Sequence, residues 1–154
     1  MFALALPQVL TKDHPESAMR QSLGLVSIVV RDYDASLNFF LTKLSFELIE
    51  DTPIPSQSKR WVVIKPPGSS GCNILLAKAT APEQESRIGN QTGGRVFLFL
   101  YTDDFWRDYE SMKKKDVKFV REPKMESYGT VAVFEDCEGN FWDLLEPSRG
   151  DNSK

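Results

Sequence analysis

The order of elements in this chain occurs twice, about seventy residues apart, and that repeat constrains the fold more than any single motif does. Leu25 to Val30 is an apolar run of strand length, and Arg31-Asp32-Tyr33-Asp34 breaks it with residues suited to a helix N-cap. Leu37, Phe40, Leu41 and Leu44 follow at i, i+3, i+4 and i+7, which is one face of a helix. Phe46 to Ile49 then reads as a strand, Pro53 and Pro55 interrupt, Arg60 to Lys65 reads as a second, and Asn73 to Ala77 reads as a third. The same series returns with a strand over Val96 to Tyr101, a cap at Thr102-Asp103-Asp104, and a helix face of Phe105, Tyr109 and Met112 with Trp106 beside it. Three strands close it: Val117 to Val120, Thr130 to Phe134 and Phe141 to Glu146. Asp34 and Asp104, Trp61 and Val131, and Leu76 and Glu146 each stand 70 positions apart. A four-stranded sheet covered by one helix still has a face to hide, and pairing two such sheets makes a shared concave surface suited to a ligand. The expected fold is α+β, built from tandem βαβββ units.

The halves are expected at residues 23–78 and 94–147, joined by a polar, glycine-bearing linker over 79–93, with a tail at 148–154. Residues 1–22 form an extension. Its apolar start lacks a preceding basic region and is broken by Pro7, a poor match to a signal peptide, and Met19 stands directly before the first strand. The chain of 154 residues carries a net charge of -3, and its one basic cluster, Lys113-Lys114-Lys115, falls at a helix end where cations complement the dipole. That balance argues against nucleic acid as a partner. No stretch approaches the roughly 18 apolar residues of a membrane span. Cys72 and Cys137 have no metal-type spacing, so a reduced, cytoplasmic protein is expected.

The segments Ser27 to Asp34, Leu44-Ser45-Phe46 and Asp136 to Pro147 resemble the opening strand, helix end and closing hairpin of the vicinal-oxygen-chelate superfamily, which includes glyoxalases, bleomycin resistance proteins and extradiol dioxygenases. The resemblance implies a glyoxalase/bleomycin resistance fold with eight strands around a cup, and a homodimer. It also implies a divalent metal held by four strand positions. Glu146 matches the usual carboxylate ligand, whereas its counterparts Leu76, Leu25 and Val96 cannot coordinate. A register shifted by two residues offers Ser27, with Asn73, Gln91 and Tyr101 as other polar groups nearby. The single histidine, His14, lies in the extension, so no pair of imidazoles is available. No cofactor is therefore expected, with a divalent metal as the alternative.

Alternation puts Trp142 and Leu144 on the face of Glu146, which is the concave face if Glu146 holds the ligand position. Trp61, Arg60, Tyr101 and Ser27 complete the expected contacts, while Phe97 and Phe99 read as core. Lys59 and Arg60 either bring positive charge to the cup or line a solvated edge. An unpaired Glu146 on an apolar face is expected to have a raised pKa, suited to a general base, unless a donor or cation faces it. The leading expectation is a small-molecule binding protein that takes an organic ligand without the usual metal. The alternative is a metal-dependent enzyme, a lyase, isomerase or dioxygenase, acting on a substrate with vicinal oxygens.

Overall fold

In the first half, Asp32 is extended and its carboxylate accepts from the backbone N of Ala35 at 2.9 Å, so the strand β1 (Leu25–Val30) runs directly into a capped helix α1 (Tyr33–Asn38). The computed structural model describes residues 19–149. The amphipathic stretch that follows does not continue as regular α-helix. It widens into a π-helical turn, Phe39–Lys43, which turns both Phe39 and Phe40 into the core. Three strands follow: β2 (Glu47–Ile54), β3 (Lys59–Lys65) and β4 (Asn73–Lys78). β2 is longer than expected and includes Pro53. It is an edge strand, where a missing backbone N–H is tolerated.

The connection between the halves contains a short helix, α2 (Pro82–Glu85), that the sequence pattern does not predict. The second half then repeats the first, with β5 (Val96–Tyr101), α3 (Phe105–Lys114), β6 (Phe119–Glu126), β7 (Gly129–Glu135) and β8 (Phe141–Pro147). Asp104 caps α3 by accepting from Arg107 N, as Asp32 caps α1. The extended β6 runs past Pro123 and is again an edge strand with register shifts.

The strands form two four-stranded sheets of the same topology, β1-β4-β3-β2 and β5-β8-β7-β6, with the first pair of each parallel and the rest antiparallel. This is the α+β duplication that the repeat implies, with each sheet remaining separate. One face of each sheet packs against the helices, and both of these faces belong to a single hydrophobic core. The join is aromatic: Phe40 of the first half lies 5.8 Å from Trp142 of β8, which stacks in turn on Phe134 at 5.8 Å. Phe105, Tyr109 and Met112 are the buried face of α3, while Trp106 beside them is exposed.

The turn between β7 and β8 is organised by one buried carboxylate. Asp136 accepts from the backbone N of Glu138, Gly139 and Asn140, from Asn140 Nδ2, and from the indole Nε1 of Trp142. The run Asp136 to Trp142 is therefore a folding motif that ties the hairpin to the core. The turn also closes on the first half. Glu138 accepts from Arg31 N and Nη1 at 2.9 and 2.8 Å, and Gln91 bridges Asn140 Oδ1 to Val29 N. Gly89 is needed here, because it has φ +68 and a Cβ on it would meet the Glu138 carbonyl oxygen at 2.2 Å.

Candidate functional site

Register divides each sheet into a core face and an open face. In the first sheet Val62 pairs with Leu76 and both join the core, so their neighbours Trp61, Val63, Leu75 and Ala77 point the other way, with Ser27 and Val29 of β1. Val63 is buried but stays outside the shared core, as expected for the opposite face. A groove of about 390 Å³ runs along this open face, with Val29, Leu75 and Ala77 forming its floor and Trp61 a wall. Trp61 is 38 % exposed. That volume is in the range of small-molecule sites, and the apolar floor supplies the burial they rely on.

The polar groups at the groove are largely engaged. Arg60 donates to Asp51 through Nε and Nη2 and to Asp34 through Nη1, and its guanidinium lies 5.2 Å from the centre of the Tyr33 ring. These carboxylates, Asp51 foremost, raise its pKa further, so Arg60 lines the groove as part of an ion-paired edge. Gln84, carried by α2, reaches the same groove while its carbonyl oxygen accepts from Thr80 N at 2.8 Å. Ser27 is exposed on the same face but is not among the residues lining the groove.

In the second sheet the structure corrects the facing expected for β8. Trp142 is only 2 % exposed and Leu144 is fully buried, and both belong to the core beneath the helices. Glu146, on the same side, is bonded to a helix end: its Oε2 accepts from Phe105 N at 2.9 Å, at the first turn of α3. A carboxylate there satisfies one of the free N–H groups at the helix start and complements the dipole, so Glu146 has a structural partner. The open face of β8 carries Phe141, Asp143 and Leu145. Across the ladder Asp143 stands between Phe99 of β5 and Val133 of β7, and Tyr101 stands opposite Leu145. Phe99, expected in the core, is 60 % exposed, and Tyr101 is 67 % exposed. Asp143 is pushed above the ordinary carboxylate pKa by burial, against a lowering influence from Arg121.

Asp143 is the residue that the alternation argument missed. The signal lay in Trp142, whose size and place in the Asp136 turn mark it as a core residue. Anchoring the parity there rather than on Glu146 puts Asp143 on the open face. A second cleft, of about 730 Å³, lies between the halves, where Tyr101, Thr102, Asp103 and Arg107 face Lys43, Ser45 and the Pro66-Pro67-Gly68 turn. Leu144 reaches its floor. Its Arg107 is bound by both Asp103 and Asp108.

Among the described residues no three His, Cys, Asp or Glu side chains cluster closely enough to hold a metal ion. Of the positions that the resemblance assigns, Leu76 is buried in the core, Leu25 and Val96 are apolar, and Glu146 accepts from Phe105 N through Oε2. Among the described residues these positions supply one carboxylate and no imidazole, a donor set that does not fit a resident metal. His14 lies outside the described residues. No described helix is long and apolar enough to cross a membrane.

Residues 22–144 match the model of the Glyoxalase/Bleomycin resistance protein/Dioxygenase superfamily. An uncharacterized protein of Shewanella frigidimarina (strain NCIMB 400) is 59 % identical over 128 residues, spanning 83 % of this chain and 95 % of its own length. Among solved structures, UcmS2 superposes with a TM-score of 0.73 at 30 % identity, over 83 % of this chain and 99 % of UcmS2. TnmS3, an antibiotic binding protein from Streptomyces sp. CB03234, superposes with a TM-score of 0.68 at 27 % identity, over 85 % of this chain and 98 % of its own.

Proposed function

Because the chain belongs to the Glyoxalase/Bleomycin resistance protein/Dioxygenase superfamily, we propose that it binds a largely apolar, aromatic organic molecule and holds it without a metal. The observation that carries this reading is the groove on the first sheet, where an apolar floor meets the half-exposed ring of Trp61. Flat apolar walls bury a planar ligand well and a free indole face adds stacking. The likeness to TnmS3, described as an antibiotic binding protein, supports the same ligand class.

The second sheet bears on how such a site is completed. Phe99 and Tyr101 leave an aromatic surface uncovered in one copy of the chain, while the groove of the first sheet is open on one side. A homodimer in which the open face of the second sheet in one copy closes over the first-sheet groove of the other covers both surfaces at once. Two such sites arise by symmetry.

The test uses acridone, an uncharged planar tricycle, titrated into the protein with intrinsic tryptophan fluorescence and calorimetry as readouts. Saturable binding is expected, weakened about tenfold or more by Trp61→Ala, since losing one stacked ring removes on the order of 1.4 kcal/mol or more. Unchanged affinity in the variant rules out the groove as the site. Sedimentation of the free protein as a monomer at high concentration rules out the dimeric closure.

A further inference from the structure

We propose that the outer edge of β5, where it borders the cleft between the halves, is a docking site for residues 20–23 of the same chain, which pair along it and close the cleft. The duplication reaches further upstream than the two sheets. Gln91-Thr92-Gly93-Gly94 precedes β5 and Gln21-Ser22-Leu23-Gly24 precedes β1, with the glutamines, the hydroxyl residues and the final glycines each 70 positions apart. The second copy of this segment covers a strand edge. Gln91 Oε1 accepts from Val29 N on the outer side of β1 at 3.4 Å, while Gln91 N donates to Asn140 Oδ1. The segment that leads into one half thus shields the edge strand of the other.

β5 is the corresponding edge of the second sheet. Thr102 N turns inward to Leu145 O on β8, and alternation along the strand turns Phe99 N and Tyr101 N outward. Among the described residues neither has an acceptor. On β1 the second outward group, Arg31 N, is held by Glu138, but the residue 70 positions before Glu138 is Gly68, which has no side chain to offer β5. The β5 edge therefore opens onto the cleft of about 730 Å³. The first copy of the repeated segment begins at the rim of that cleft: Asn73 N donates to Gly24 O at 3.0 Å, and the neighbouring Cys72 is a lining residue. Residues 19–24 are exposed along their whole length, the apolar Leu23 included. Four extended residues span about 13 Å, enough to cross a cleft of this volume. Laid along β5, they bring acceptors to Phe99 N and Tyr101 N, with Gln21 Oε1 serving one of the two as Gln91 Oε1 serves Val29 N. Leu23 gains cover from Leu100, Met112 and Leu144, which reach the same cleft. Pairing with a bare strand edge draws its affinity from main-chain bonds, and a tether of this length gives the chain's own segment an effective concentration of about millimolar order, ahead of any free peptide.

The experiment follows amide hydrogen exchange by NMR in the full chain, in Gln21→Ala and Leu23→Asp, and in Gln91→Ala as the control for the other edge. In the wild-type protein the Phe99 or Tyr101 amide, or both, should exchange about tenfold or more slowly than a free amide, the scale of one hydrogen bond. Gln21→Ala and Leu23→Asp should remove that protection and leave the Val29 amide as it was, whereas Gln91→Ala should release Val29 and spare the β5 pair. Free exchange of both β5 amides in the wild-type protein overturns the docking. Protection that survives both segment variants overturns it as well, since something else then covers the edge. Protection that is lost on dilution assigns the edge to a second copy of the chain and overturns the same-chain occupant.

Discussion

At the scale of single residues, Asp143 and Glu146 show how a position is decided by what faces it. Three residues apart on one strand, they point to opposite sides: Glu146 to the start of α3, Asp143 to the open face between Phe99 and Val133. The raised pKa of Asp143 has a consequence for stability. A carboxyl group whose folded-state pKa lies above its unfolded value, near 3.9, binds protons more tightly when folded, so its contribution to stability falls as pH rises through that window. Asp143→Asn removes this penalty. The variant should melt at a higher temperature than wild type at pH 7, and the gain should vanish toward about pH 3, where both forms of the site are neutral. Calorimetric melting at the two pH values checks it. An equal shift at both assigns the effect to packing.

At the scale of elements, the closing hairpin is held by Asp136 more than by the conformational freedom of its glycine. Five donors converge on one carboxylate, and the indole of Trp142 is among them. Asp136→Ala removes the buried acceptor of Asn140 N, Asn140 Nδ2 and the Trp142 indole, which should cost about 3–5 kcal/mol. Urea unfolding of the variant measures that loss, and a cost below about 1 kcal/mol would mean that water replaces the carboxylate. Legibility follows the same physics. Apolar runs such as Leu25 to Val30 and the capped helices were readable because periodicity and caps are local signals. The lengths of β2 and β6 were not, because Pro53 and Pro123 look like breaks unless the strand is known to be an edge. The Phe39–Lys43 turn is set by tertiary packing of two phenylalanines, which no spacing rule contains. Of the expected contacts, Trp61 and Arg60 line the first-sheet groove, while Trp142 and Leu144 lie in the core because alternation was anchored on the wrong residue.

At the scale of the whole molecule, the two halves are distinct in sequence but share one interior. Phe40 and Phe46 from the first half both meet Trp142 from the second, with ring centres 5.8 and 6.3 Å away. Trp142→Ala should therefore cost about 3–5 kcal/mol and loosen both halves together. Circular dichroism and the fluorescence of Trp61 and Trp106 followed through the same urea titration should then give coincident transitions. Separate midpoints would show that the halves unfold independently. The edge of β1 is part of the same union. Val29 N is met by the side chain of Gln91 and Arg31 N by that of Glu138, so groups from the linker and the second half occupy positions on a strand edge that would otherwise be free. An apolar strand with a bare edge is a template for further strands. A first half produced alone would present Leu25 to Val30 in that state, and its failure would take the form of aggregation and fibre growth rather than of a soluble half-sized domain.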